Sequence, residues 1–185
     1  MAKCPICNSK KGQRQCLKVG GVVCSLCCGI TRNAESCLGC TYYQKPKRLY
    51  GEVPAYTTQQ MDGNQELESY GNVIEGALCT YDIETGEILK DSDAVRVIEA
   101  LIDLHYFKDY QQSCDSPIIA DAVAYVEKAI EDDLQEISNQ IIVKILGVIR
   151  FVAKRRDKGG RDYWNIIHQY VGLRIGNGIG LMQRF

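Results

Sequence analysis

Apolar residues recur at steps of three and four through most of the second half of this chain, and that spacing predicts helices. After Asp91 and Ser92, whose side chains can supply cap oxygens, Ala94, Val97, Ile98, Leu101, Ile102 and Leu104 fall on one stripe. Ser116 followed by Pro117 reads as a cap with proline at the first helical position. Behind it Ile119, Val123, Val126, Ile130, Leu134 and Ile137 share a face, while Glu127, Glu131, Asp132 and Glu136 occupy the other. Ser138 and Asn139 end that helix or cap a third over about residues 140–156, with Ile141, Ile142, Ile145, Leu146, Ile149 and Val152 inward and Gly159-Gly160 as the stop. A shorter helix over 162–171 sets Tyr163, Trp164, Ile167 and Tyr170 at helical spacing and ends at Gly172. Leu67, Tyr70, Ile74 and Leu78 fit a further helix weakened by Gly71 and Gly76, but residues 77–90, with Glu-Thr-Gly-Glu at their centre, equally fit a hairpin. The four clear helices, joined by short connections, can bury a core by antiparallel packing. The expected fold is therefore mainly α, with an α-helical bundle over 65–172.

Ahead of residue 65 this period is absent. Residues 41–54 mix Tyr, Lys, Pro and Gly without regular spacing and the polarity continues through Asn64, so a linker is expected over 46–64, preceded by a separate part over 1–45. Behind the last helix, residues 173–185 form a Gly-rich apolar C-terminal tail. Its Gly176-Asn177-Gly178-Ile179-Gly180 run superficially matches a phosphate loop, but no helix follows whose amino end could hold a phosphate. Ile175, Ile179, Leu181, Met182 and Phe185 fit instead a segment that orders against a partner or the same chain, with homo-oligomerisation as one outcome.

Cysteine changes this picture. Eight of the ten cysteines in the 185 residues lie between Cys4 and Cys40. Cys4 and Cys7, Cys24 and Cys27, and Cys37 and Cys40 form Cys-x-x-Cys pairs, and Cys16 and Cys28 complete the set. A Cys-x-x-Cys turn aims two thiolates at one ion while backbone amides donate to the sulfurs, and two such turns complete the tetrahedron that Zn²⁺ favours. Eight thiols suffice for two zinc ions per chain. Residues 18–21 would make the turn between a short ladder from Arg14 and one through Val22 and Val23. A stretch this short cannot build a stable core alone, which gives zinc a structural role. Four-thiolate ligation also admits an iron–sulfur cluster, and disulfides are a further alternative. A closed four-thiolate site lacks the open position that metal catalysis requires. No Ser, His and Asp constellation can be assembled elsewhere, so no enzyme is expected.

The pattern resembles the B-box and RING-type cross-brace zinc fingers: a first pair, a lone Cys16, a Val-Val-Cys-x-x-Cys knuckle and a last pair. The resemblance covers only the stretch up to Cys40. It implies a binuclear module in which Cys4, Cys7, Cys24 and Cys27 share one zinc, and Cys16, Cys37 and Cys40 serve the other. The B-box ligand three residues after Cys16 would fall on Val19, which cannot coordinate; Cys28 is the substitute, and Cys37 and Cys40 replace the final histidine pair. B-box modules mediate protein interactions, so the resemblance tilts the expected partner toward protein.

Charge is segregated although the formal total is −1. Residues 1–50 carry nine Lys/Arg and one Glu, residues 51–149 five basic and twenty acidic groups, and residues 150–185 eight basic and two acidic. Two Zn(Cys)₄ centres would lower the +8 of the first block to about +4. Lys10, Lys11, Arg14, Lys18 and Arg32 lie between the knuckles and are candidates to meet phosphate or an acidic protein face. Arg150, Lys154, Lys158 and Arg161 would share a helical face only if the helix ran through the glycines, and are expected to meet the helix dipole and acidic neighbours. His105 and His168 read as partly buried core residues, and Cys79 and Cys114 as simple buried thiols. No apolar run reaches the ~20 residues of a membrane span. The cysteines follow the amino terminus without an apolar leader, which points to a thiol-reducing, cytoplasmic setting. The expected function is a noncatalytic zinc-stabilised adaptor that binds protein, with nucleic-acid binding through the basic module as the alternative. A zinc-thiolate redox sensor or ubiquitin-ligase-like protein ranks third.

Overall fold

The computed structural model describes residues 3–37, 39–43, 48–109, 116–174 and 181–182. The chain divides into two units, Met1–Arg48 and Leu49–Phe185. Cys114 and most of the apolar tail, residues 175–180 and 183–185, lie outside the described residues.

In the first unit β1 (Arg14–Cys16) pairs antiparallel with β2 (Gly21–Val23), in the register Arg14↔Val23, Gln15↔Val22 and Cys16↔Gly21. The turn between them needs a left-handed residue, which Gly20 supplies at φ 65° without a Cβ penalty. Two short helices follow, α1 (Ser25–Ile30) and α2 (Ala34–Cys37). The amide of Ser36 donates to Asn33 Oδ1 at 2.8 Å and so satisfies one free N–H at the start of α2. Among the described residues the buried core of this unit is Cys4, Val23, Cys24 and Cys27, far too little apolar surface to hold the unit by itself.

The second unit is mainly helical. A 3₁₀ turn at Tyr50–Glu52 and the single-turn α3 (Thr58–Met61) lead into α4 (Gln65–Glu84). Then come α5 (Asp91–His105), α6 (Pro117–Asp133), α7 (Asn139–Arg156) and α8 (Asp162–Tyr170). α5 packs against α6, α7 and α8, and α4 against α6, α7 and α8. Among the described residues no helix is long and apolar enough to cross a membrane.

The ambiguous stretch before residue 91 is one helix rather than a hairpin. Ile74, Ala77, Leu78 and Tyr81 are buried at helical spacing, and the two glycines that weaken propensity, Gly71 and Gly76, are buried as well, so packing overrides propensity. Glu-Thr-Gly-Glu forms the exit from α4, with Gly86 at φ 83° and Glu87 at φ 59°. Residues 49–61, expected as linker, pack onto the helices. Val53 is buried, the Tyr50 hydroxyl donates to Asp103 Oδ2 at 3.0 Å, and Pro54 and Ala55 press against Gly147 of α7. The start of the expected tail is also held. β3 (Leu173–Arg174) pairs with β4 (Leu181–Met182), the Arg174 amide donates to Thr80 Oγ1 at 3.0 Å, and Arg174 Nε donates to Asp133 Oδ2 at 2.7 Å.

Two caps differ from the local expectation. Asp91 does not cap its own helix; Lys90 precedes it, and the Lys90 amide donates to Asp93 Oδ2 at 3.0 Å. The fully buried Asp91 carboxylate instead accepts from the amides of Asp162, Tyr163 and Trp164 at 2.8, 3.1 and 3.4 Å, capping α8 from a distant part of the chain. Ser116 makes no side-chain cap bond, and α6 stops at Asp133, before Ile137.

Asp82, also fully buried, is matched by a guanidinium and an imidazole. Arg161 donates to both its oxygens, at 2.6 and 3.1 Å, and also to the Leu89 carbonyl, while His168 Nε2 lies 2.8 Å from Asp82 Oδ2. Burial pushes the Asp82 carboxyl up, but the bonds from His168 and Arg161 outweigh it and hold the group below the ordinary aspartate value. The expected cationic series is not one helical face, because α7 ends at Arg156, and its members have separate partners: Arg150 pairs with Glu99 at 2.7 Å, Lys154 with Asp157 at 3.5 Å, and Arg161, just ahead of α8, with Asp82.

Gly147 is a position where propensity and packing oppose each other. A Cβ there would sit 2.5 Å from the Pro54 carbonyl oxygen and 3.0 Å from Ala55 Cβ. Gly147→Ala gains about 1 kcal/mol of helix propensity but overpacks the contact, at a cost of about 1–3 kcal/mol. The net expectation is a lower urea midpoint, and an equal or higher midpoint would mean the segment does not sit on α7.

His105 is a second test. Its Nδ1 lies 2.8 Å from Asn139 Oδ1, and because Asn139 Nδ2 donates to the His105 carbonyl, that amide oxygen can only accept. Its Nε2 lies 2.8 Å from Glu127 Oε2, so both ring nitrogens face acceptors and the imidazolium is favoured. Burial opposes the charge, but Glu127 and Asn139 outweigh it and raise the pKa above the ordinary histidine value. A raised folded pKa gives stability that is full below the unfolded value of about 6.5 and is lost as pH rises through the folded value. His105→Gln is expected to cost about 1–2 kcal/mol below pH ~6 and progressively less at higher pH, read from chemical denaturation at a series of pH values.

Candidate metal centre

The Sγ atoms of Cys4, Cys7, Cys24 and Cys27 all lie within 4.8 Å of one another. In a tetrahedral site with metal–sulfur bonds of about 2.3 Å, the sulfurs stand about 3.8 Å apart. The Cys7 and Cys24 sulfurs, at 3.9 Å, already meet that spacing. The cluster can hold a metal ion and fits a zinc module.

Local backbone geometry explains why these four converge. The Cys4 amide donates to the Lys10 carbonyl at 2.8 Å and the Asn8 amide to the Cys4 carbonyl at 2.8 Å, which folds the first Cys-x-x-Cys pair into a tight knuckle. Asn8 closes it at φ 54°, a conformation asparagine tolerates better than most residues. The strand ladder then returns the chain so that Cys24 stands at the amino end of α1 and Cys27 in its first turn; the Cys27 amide donates to Cys24 Sγ at 3.4 Å. Gly12 lets the loop pass close to β2, since a Cβ there would collide with the Val22 carbonyl.

The electrostatics of the cluster suit a cation. Hydrogen bonds from the Ser9 hydroxyl and from the backbone of Lys10 and Ser9 draw the Cys7 thiol down to about 5. Burial opposes ionisation of Cys4, but the backbone amides of Cys24, Cys7 and Ile6 lower it in balance. Cys27 is pushed up to about 12, by Cys24 first, then by burial and by Cys7 and Cys4. Four thiolates so close cannot all carry charge unless a cation sits among them, and a divalent ion removes the conflict.

The other four candidate ligands form no second group of this kind among the described residues. Two zinc ions per chain therefore lack support, whereas Cys4, Cys7, Cys24 and Cys27 are brought together. Cys16 belongs to β1 and Cys28 to α1, both packed at the edge of the first cluster. The Cys28 sulfur accepts from Arg14 Nη1 at 3.7 Å and Arg32 Nη2 at 3.9 Å. Cys37 ends α2, and the Cys40 amide donates back to the Cys37 carbonyl at 3.0 Å, so this pair also forms a tight turn.

The basic candidates divide in the same way. Lys10, Lys11 and Lys18 are exposed. Arg14 stacks over the Tyr42 ring, 5.2 Å from its centroid, and shares Cys28 with Arg32. The Ser9 hydroxyl at Cys7 and the Arg14–Cys28–Arg32 grouping depend on how the loops fold, and the cysteine spacing does not announce them.

Neither protein-family models, nor curated proteins, nor solved structures yield a match to this chain. The class that fold and site define is a tetra-cysteine metal module followed by a mainly helical unit.

Cys24→Ser is expected to lower the bound metal by one ion per chain in native mass spectrometry and to unfold the first unit. Cys28→Ser is expected to leave that ion in place. Loss of the ion in the Cys28 variant would show that Cys28 belongs to the primary site.

Proposed function

We propose that this chain is a noncatalytic adaptor in which a zinc ion on Cys4, Cys7, Cys24 and Cys27 stabilises a protein-binding module, borne on an α-helical bundle in a thiol-reducing cytoplasm. An all-sulfur, four-coordinate donor set favours structural zinc and offers substrate no open coordination position. The observation that carries the reading is apolar exposure on a unit too small to afford it. Leu26 and Ile30, one turn apart on α1, are 54% and 74% exposed, and Leu17 in the hairpin turn is 61% exposed. Val19 and Val22 are exposed beside it. A small unit that leaves this much apolar surface in water has the composition of an interaction face.

Nucleic-acid binding is the second reading. It is favoured by exposed Lys10, Lys11 and Lys18, and by a concave patch on the second unit where Arg155, Arg156 and Lys158 surround the exposed ring of Phe151.

The two readings separate by salt and by mutation. Partners recovered on the tagged, zinc-loaded protein are expected to stay bound from about 0.1 to 0.5 M salt and to be lost in Leu26→Asp/Ile30→Asp, with the zinc stoichiometry unchanged. Association that falls steeply with salt and disappears in Lys10→Glu/Lys11→Glu would replace the adaptor reading with nucleic-acid binding.

A further inference from the structure

Within the second unit, α4, α7 and α8, together with Met61 of α3, border a cavity of about 340 Å³. Its walls are largely hydrocarbon, supplied by Ile145, Ile149 and Val152 of α7 and by Ile167 and Val171 at the end of α8. One acid stands among them. Glu75 reaches in from α4, and Glu68, two turns earlier on the same helix, lies at the exposed rim. Glu75 Oε1 accepts from the Tyr163 hydroxyl at 2.8 Å, and Tyr163 itself is fully buried.

Among the described residues no Lys, Arg or His lines this cavity, and neither Glu75 nor Glu68 has an ion-pair partner. This sets Glu75 apart from Asp82 and Asp91, the buried carboxylates that the fold matches with a guanidinium, an imidazole or helix amides. Glu75 is dense with neighbours yet only partly hidden from water, because its remaining exposure opens into the cavity. Burial raises its carboxyl to about 7 against the opposing pull of the Tyr163 hydroxyl. An unmatched carboxylate in an apolar wall is costly, and a cation with an apolar body relieves that cost.

We propose that this cavity is a binding site for a small organic cation, an ammonium group on an apolar body. The ammonium pairs with Glu75, and the apolar part lies against Ile145, Ile149 and Val152. Glu68 at the rim adds attraction for positive charge during entry. The volume is at the lower end of the ~300–1,000 Å³ range of small-molecule pockets, which suits a compact monoamine. Carboxylate and phosphate ligands are disfavoured by both acids, and a bare metal ion by the hydrocarbon walls.

The test uses the full-length, metal-loaded protein, with phenethylammonium as probe and 2-phenylethanol as its neutral analogue. Affinity is read by calorimetry at pH 8, where Glu75 is ionised, and the site by isoleucine methyl shifts. Phenethylammonium is expected to bind, to shift the methyls of Ile145 and Ile149, and to bind at least tenfold tighter than the alcohol. Glu75→Gln keeps an oxygen for the Tyr163 hydroxyl and is expected to weaken the ammonium at least tenfold while leaving the alcohol unchanged. Gly71→Leu places a side chain at the cavity wall, where a Cβ would meet only Ile145 at 4.0 Å, and is expected to weaken both probes. The proposal is overturned by absence of phenethylammonium binding in the millimolar range, by equal affinity for the alcohol, or by undiminished ammonium binding in either variant whose methyl spectrum shows an intact fold.

Discussion

Charge buried away from water has to be matched, and in the helical unit that requirement fixes where α8 lies. Asp82 near the end of α4 and Asp91 at the start of α5 are both fully buried. Asp91 receives the free amides at the amino end of α8, and Asp82 receives Arg161, just before that helix, and His168, inside it. One short helix is thereby tied to two others by bonds spanning more than seventy residues of sequence. Hydrophobic packing alone would allow α8 to slide or rotate at small cost, but these directional bonds allow one position.

The cavity follows from that placement. With its amino end fixed by Asp91, α8 sets Tyr163 against Glu75 and leaves Ile167 and Val171 facing α7 across an unfilled space. Glu75 thus contrasts with its neighbours: the same interior that matches Asp82 and Asp91 with protein groups leaves Glu75 facing an opening.

The first unit obeys the same physics with a different solution. Its core is a valine and three of the four clustered cysteines, so the stabilisation that a larger unit draws from apolar burial has to come from elsewhere. Four sulfurs gathered within 4.8 Å repel once ionised, and a shared cation would turn that repulsion into attraction. With so small a core, Leu17, Leu26 and Ile30 are left exposed on the surface of this unit.

The sequence by itself determined the local order. The three-and-four spacing of Val97, Ile98 and Leu101, of Val123, Val126 and Ile130, and of Ile142, Ile145 and Ile149 marks helices, because one buried face imposes that period. The spacing of Cys4, Cys7, Cys24 and Cys27 marks ligands, because a knuckle needs two residues between its thiols. Between residues 77 and 90 the sequence left helix and hairpin open, since Gly71 and Gly76 weaken a helix that only its packing against α6, α7 and α8 sustains. Tertiary structure alone decided the rest: that Asp91 caps α8 rather than α5, that Cys28 meets two guanidinium groups, that residues 49–61 lie on the helices, and that Glu75 faces a cavity. Each of these depends on which distant groups arrive within a few ångströms, and local periodicity carries no record of that.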